Sequence, residues 1–158
     1  MSSQRINEVV NFLNLEADML DQGEFDNWLT LWHPDGRYIV PIDPHTDDFE
    51  NTLNFAFDDD AMRRRRVQRL YSGESISTTP RARTIRMLAR HRILVDTPSR
   101  LEVRCAQSLW EYRKGKSQHY VADLHYRLLP QATGFLIESK VVRMLNSDGY
   151  LSSIGYIL

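Results

Sequence analysis

Apolar residues Ile6, Val9, Val10, Leu13, Ala17 and Leu20 recur at spacings of three and four, so residues 4–21 read as an amphipathic helix with one buried stripe. Asp21-Gln22-Gly23 ends it. A shorter helix is predicted over about residues 24–32, carrying Phe25, Trp28, Leu29 and Trp32. Pro34-Asp35-Gly36 then forms a turn, and Arg37-Tyr38-Ile39-Val40 reads as a strand. Residues 41–54, with Pro41 and Pro44, form an acidic loop. It leads to a helix from about Asp58 to Tyr71, whose opening run Asp58-Asp59-Asp60 suits the positive end of the helix dipole.

From residue 83 the period changes to two. Ile85, Met87, Ala89, Ile93 and Val95 mark one apolar face of a strand over 83–95, leaving Arg86, Arg90 and Arg92 on the other. Leu101–Arg113 and Ser117–Leu128 read as a β-hairpin around Lys114-Gly115-Lys116. Pro130–Gly134 turns the chain into a strand over Phe135–Leu145, and residues 150–157 make a last short strand. Helices followed by long antiparallel strands predict an α+β layout, with the helices covering one face of a curved sheet.

With 158 residues, 42% hydrophobic and 26% charged, the composition is that of a globular protein with room for one domain, taken as 1–158. The overall charge of −1 conceals a division. Residues 1–60 carry fourteen acidic residues against Arg5 and Arg37, and residues 61–158 carry eighteen basic residues against seven acidic. Opposite poles of this kind disfavour a uniformly basic nucleic-acid binder and favour protein docking, within one chain or between copies. Cys105 is the sole cysteine, so this chain alone forms no internal disulfide, four-cysteine zinc site or iron–sulfur cluster. The N-terminal residues lack the apolar stretch of a signal peptide, and no run approaches a membrane span, so a cytoplasmic protein is expected.

Four groups of residues bear candidate chemistry. His119, Asp123 and His125 have the ligand types of a non-haem iron site and share a strand face, but residues 119 and 125 lie roughly 20 Å apart along an extended strand. That is too far for one ion. Arg63-Arg64-Arg65-Arg66 with Arg69 is the densest basic cluster, yet successive helical residues advance about 100°, so these arginines encircle the helix. A salt-bridged surface or interface helix is the plainer reading. Asp18, Tyr38 and His91 are a carboxylate, a phenol and an imidazole for proton transfer, should they face one cavity. Cys105 shares a face with Leu101, Val103 and Leu109, so it reads as a small buried hydrophobe.

The order of short motifs carries a resemblance across nearly the whole chain. Phe12-Leu13-Asn14-Leu15-Glu16-Ala17-Asp18, Phe25-Asp26-Asn27-Trp28-Leu29 and Asp35-Gly36-Arg37-Tyr38 come first. Asp58-Asp59, Arg66-Val67-Gln68-Arg69-Leu70, Arg83-Thr84 and Lys140-Val141-Val142-Arg143 follow. In that order, with the acidic Pro-containing loop between, the chain resembles the small (β) subunit of aromatic-ring-hydroxylating dioxygenases. That family has the cystatin-like cone shared with nuclear transport factor 2, in which N-terminal helices pack on a long, strongly curved, mainly antiparallel sheet. Departures stand at Arg86, where many members have a histidine, and at Arg64 and Arg65, where acidic residues are common.

The resemblance implies a structural, non-catalytic subunit with no cofactor or metal of its own. Its partner would be a large (α) subunit holding a Rieske [2Fe–2S] cluster and a mononuclear iron. Electrons from NAD(P)H would arrive through a reductase or ferredoxin, and O₂ would add to an aromatic ring. It further implies a trimer of small subunits in an α3β3 assembly. Neither nucleic acid nor membrane is an expected partner. On this reading Arg63, Arg66, Arg69, Arg86, Arg90 and Arg92 are candidates for subunit interfaces. The competing readings are a stand-alone isomerase, dehydratase or cyclase using Asp18, Tyr38 and His91, and a plain binding module.

Overall fold

The computed structural model describes residues 3–76, 82–145 and 157–158. Its elements are α1 (Ser3–Asp21), α2 (Phe25–Leu29), β1 (Trp32–Pro41), β2 (Asn54–Asp58), α3 (Asp60–Ile76), β3 (Arg83–Thr97), β4 (Arg100–Arg113), β5 (Lys116–Pro130) and β6 (Phe135–Met144). Of the expected strand over 150–157, only Ile157 lies within the described residues. The strands form one sheet in the order β2-β1-β6-β5-β4-β3, antiparallel except for the parallel pair β1 and β6. α1 crosses the inner face and buries Val9, Leu13, Ala17 and Leu20, the stripe its three- and four-residue spacing predicts. Against it pack the inward residues of β4 and β5, among them Leu101, Val103, Leu109, Leu124 and Leu128.

Several boundaries differ from the sequence expectation. α2 is shorter because Thr30 closes it, donating its hydroxyl to the Asn27 carbonyl at 2.6 Å. β1 begins at Trp32, ahead of the Pro34-Asp35-Gly36 turn, which becomes an irregularity inside the strand where the pairing with β6 slips between Trp32 and Arg37. A Cβ on Gly36 would stand 2.8 Å from the Trp32 ring and 2.9 Å from the Ile137 carbonyl oxygen, so only glycine fits there. The acidic loop ends in an edge strand, β2, where a loop and the start of a helix were expected. α3 begins at Asp60, with Asp59 as its cap: the Asp59 carboxylate accepts the Met62 N–H at 2.9 Å.

The largest correction concerns β3. Its inner positions are Thr84, Arg86 and Leu88 in the first half but His91, Ile93 and Val95 in the second. Arg90 separates the two halves. It lies in the left-handed region (φ 59°), and the pairing with β4 slips between Ala89 and Arg92. Such a bulge inserts one residue and reverses which parity faces inward. Arg86 therefore points into the core while Ile85 and Met87 face outward, the reverse of the simple alternation. The β4–β5 hairpin follows its prediction: Arg113 pairs with Lys116 around Lys114 and Gly115, both at positive φ, a two-residue turn matching the strand twist.

Candidate functional site

The interior between helices and sheet holds charge as well as apolar side chains. Glu16 stands on the buried stripe of α1, 1% exposed, and Lys140 of β6 is equally buried. The Glu16 carboxylate accepts three hydrogen bonds: from Lys140 Nζ at 2.8 Å, the Trp28 indole N–H at 2.9 Å and the Tyr126 hydroxyl at 2.6 Å. Burial pushes the Glu16 carboxyl up, but the Lys140 ammonium and the three donors more than offset this and hold it below its ordinary value. It is thus an ionised acceptor with its lone pairs occupied, tying α1, α2, β5 and β6 together. As a proton-transfer base it is poorly placed.

A second set of donors grips residues 157 and 158. Arg86, at the inner face of β3, donates to the Ile157 carbonyl, and its other terminal nitrogen pairs with Asp21 at 2.5 Å. Asp21 also accepts from Thr84 Oγ1 at 3.0 Å and the Arg86 backbone N–H at 2.9 Å, joining the end of α1 to β3. Lys140 and Gln107 reach the Leu158 backbone oxygen, each at 3.4 Å, and the Leu158 N–H donates to the Tyr38 hydroxyl at 2.8 Å. Ile157 and Leu158 thereby fill part of the cone's interior. Beside them a cavity of about 800 Å³ opens at the start of β3, lined in part by Asp21, Phe25, Arg86 and Glu111.

The candidate trio does not assemble. Asp18 is exposed on the outward side of α1. Tyr38 is buried in an edge-to-face group with Trp28 and Trp32, and burial raises its phenol to about 12, too high for acid–base work near neutrality. His91 is half-buried on β3, with Nε2 unpartnered and its pKa lowered by burial. None of the three lines the cavity. Burial likewise lifts Cys105 to about 12, which makes it an inert thiol.

The helix arginines divide as the 100° advance requires. Arg63 is fully buried, its guanidinium 4.2 Å from the centre of the Trp32 ring. It donates to the carbonyls of Gly36 (2.5 Å), Asp58 (3.3 Å) and His33 (3.4 Å). Arg66 forks onto Asp58 at 2.6 and 3.0 Å. Arg64 stays outside with Asp60, and Arg69 is exposed. Arg63, Arg66 and Arg86, expected at an interface, are therefore engaged within the fold, because each meets a carboxylate or backbone oxygens of its own chain. Arg69, Arg90 and Arg92 remain exposed.

On the outer face of the sheet, His119 stacks on Trp110 with ring centres 4.1 Å apart and bonds Ser108 Oγ at 2.7 Å, while Asp123 pairs with Arg90 at 2.6 Å. His125 is half-buried and its pKa is lowered, by burial first and then by Arg143, Arg127 and Arg104. Among the described residues, no three His, Cys, Asp or Glu side chains are grouped to hold a metal ion. The donors grouped among those residues match neither the two cysteines and two histidines of a Rieske cluster nor the two histidines and carboxylate of a mononuclear iron. Glu16 and Lys140 were not anticipated as a site. Their signal was a charge at an apolar-face position in each of two elements.

Residues 15–148 match the family described as the ring hydroxylating beta subunit. The small oxygenase component of the p-cumate 2,3-dioxygenase system of Pseudomonas putida is 33% identical, over 77% of this chain and 68% of that protein. The small subunit of 2-halobenzoate 1,2-dioxygenase of Burkholderia cepacia is 31% identical, over 88% and 87%. Among solved structures, the beta subunit of benzoate 1,2-dioxygenase from Burkholderia mallei superposes with a TM-score of 0.77 at 23% identity, covering 94% of this chain and 95% of that one. The likeness is one of fold, and it agrees with the expected cone of helices on a curved sheet.

Proposed function

Since the chain belongs to the family of ring-hydroxylating beta subunits, we propose that it is the small, non-catalytic subunit of a multicomponent dioxygenase that adds O₂ to an aromatic substrate. The observation that carries this is the family match along residues 15–148, joined by two relatives that are themselves small oxygenase subunits. The structure supplies a physical complement: the interior groups best suited to acid–base chemistry, Glu16 and Tyr38, are locked into hydrogen bonds that hold the fold together.

In this reading the Rieske cluster and the mononuclear iron reside in the large subunit and there supply the electrons and the O₂ chemistry, with NAD(P)H oxidised by a separate reductase. This chain contributes a rigid body for assembly. It forms a trimer that packs on three large subunits, and the complex works in the cytoplasm. The stand-alone enzyme reading loses its footing because Asp18 is exposed while Tyr38 is buried.

Co-expression with a candidate large subunit, followed by purification through a tag on one chain, tests the proposal. The expected result is an equimolar complex in which iron and acid-labile sulfide follow the large chain alone. Iron bound by the isolated small chain, or failure of every candidate large subunit to co-purify, would overturn it.

A further inference from the structure

Two exposed surfaces of this chain are complementary to each other and lie where they cannot meet within one molecule. The first is the outer face of β3 and β4. Because the bulge at Arg90 turns the first half of β3 outward, Ile85 and Met87 are 65% and 51% exposed there, and Trp110 and Tyr112 beside them on β4 are 45% and 51% exposed. Ile85 is paired directly with Trp110. Large aromatic and Met side chains clustered on a sheet face are the composition of an interface core. About 20 Å along the same face, Arg92 stands directly opposite Arg104, and Arg104 opposite His125. Like charges in that position repel, and neither arginine has an ion-pair partner among the described residues. The arrangement calls for carboxylates from outside.

The second surface is the loop between β1 and β2, together with β2 itself. It exposes Asp47 and Glu50 beside the apolar Ile42, Leu53 (78% exposed) and Phe55. This loop is held in shape. Arg143 donates to the carbonyls of Pro44 (3.1 Å) and Thr46 (2.6 Å) and to the Asp47 carboxylate (2.9 Å), and its guanidinium lies over Phe49. A preformed loop loses little freedom on docking.

β2 and β3 are the opposite edges of the sheet, so the acidic-apolar loop of one chain reaches a basic-apolar face only on another chain. We propose that the outer face of β3 and β4 is the docking surface for the β1–β2 loop of a second copy of this chain. The contact is head-to-tail: each copy offers its face to one neighbour and its loop to the other, and a contact of this kind makes a closed ring when its rotation is a third of a turn and an open filament when it does not close. This deepens the subunit reading above and rests on it for the trimer.

The test measures the mass of the full-length chain by light scattering at low salt, with circular dichroism confirming that each variant is folded. The wild type is expected to be a trimer. Arg92→Glu with Arg104→Glu is expected to give monomers, as is Glu50→Lys, which leaves the Arg143–Asp47 pair intact; the chain carrying all three substitutions is expected to regain the trimer. Raising the salt weakens the wild-type trimer at least about tenfold. An unchanged mass in either charge-reversed variant, or no recovery in the threefold variant, would overturn the docking proposal. So would a monomeric wild type whose binding to a large subunit is lost on Arg92→Glu with Arg104→Glu, since the face would then belong to that subunit. A wild type that trimerises through these faces yet binds no large subunit upholds the docking and overturns the functional reading instead.

Discussion

Arg86 and Arg92 stand six residues apart on one strand and do opposite things. Arg86 is buried against Asp21 and ties the end of α1, Thr84 and Ile157 together. Arg92 faces outward against Arg104, with no acid paired to it among the described residues. The sequence around each is alike, an arginine among alternating apolar residues. The difference comes from one inserted residue, which exchanges the inside and outside of the strand. Inside, Arg86 is matched by a carboxylate and a carbonyl of its own chain; outside, Arg90 has Asp123, but Arg92 and Arg104 are left for another surface to match.

Breaking the inside match has the largest expected effect. Glu16→Leu leaves Lys140 buried without its counter-charge and removes the acceptor of Trp28 and Tyr126, a loss of about 3–5 kcal/mol read from urea unfolding. Joint replacement of Glu16 and Lys140 by methionine restores much of it, because the uncompensated charge is gone. The pH dependence has a definite sign. Glu16 is held below its ordinary 4.5, so its stabilisation is complete above the unfolded value and disappears as pH falls through the folded one. Unfolding monitored from neutral pH down past 4.5 is expected to show a steep acid limb in the wild type and a flatter one in Glu16→Gln.

Arg63 sharpens the comparison within a single helix. Lysine has no planar fork for the carbonyls of Gly36, Asp58 and His33 and no flat face for Trp32, so Arg63→Lys is expected to cost about 1.5–3 kcal/mol. At the exposed Arg65 the same change stays within about 0.5 kcal/mol. Gly36→Ala, which pushes a methyl into Trp32 and the Ile137 carbonyl, is comparable to Arg63→Lys at about 1–3 kcal/mol. Thermal melts of the three variants rank them directly.

Periodicity made the helices, the long strands and the β4–β5 hairpin legible, because each has a regular face turned to the core. It failed where regularity is interrupted. A bulge at Arg90 has no glycine to announce it, so the alternation of 83–95 is read on the wrong face for its first half. β2 is not legible in the pattern because its inward positions, Ala56 and Asp58, are a small residue and a charge, while Phe55 and Phe57 turn outward. Glu16 and Lys140 escape the pattern for a related reason. Each sits on a face that is otherwise apolar, and their meeting depends on the register of β6 against α1, which no local pattern encodes.

Smaller differences are expected at Arg90 itself, where charge and conformation can be separated. Its pair with Asp123 is exposed, so Asp123→Asn is expected to cost less than about 1 kcal/mol and to cost less still in high salt. Its backbone is another matter. At φ 59° an arginine is strained by about 1 kcal/mol or more relative to glycine. Arg90→Gly therefore relieves about as much as the lost pair contributes and leaves stability nearly unchanged. Arg90→Val removes the same charge but adds β-branching at a positive φ, and is expected to be less stable than Arg90→Gly by about 1–2 kcal/mol. Equal melting temperatures for the glycine and valine variants would mean that the left-handed residue is not what turns β3 over. A clear gap between them would mean that Arg90 serves the fold through its backbone, which puts Arg86 inside and Arg92 outside.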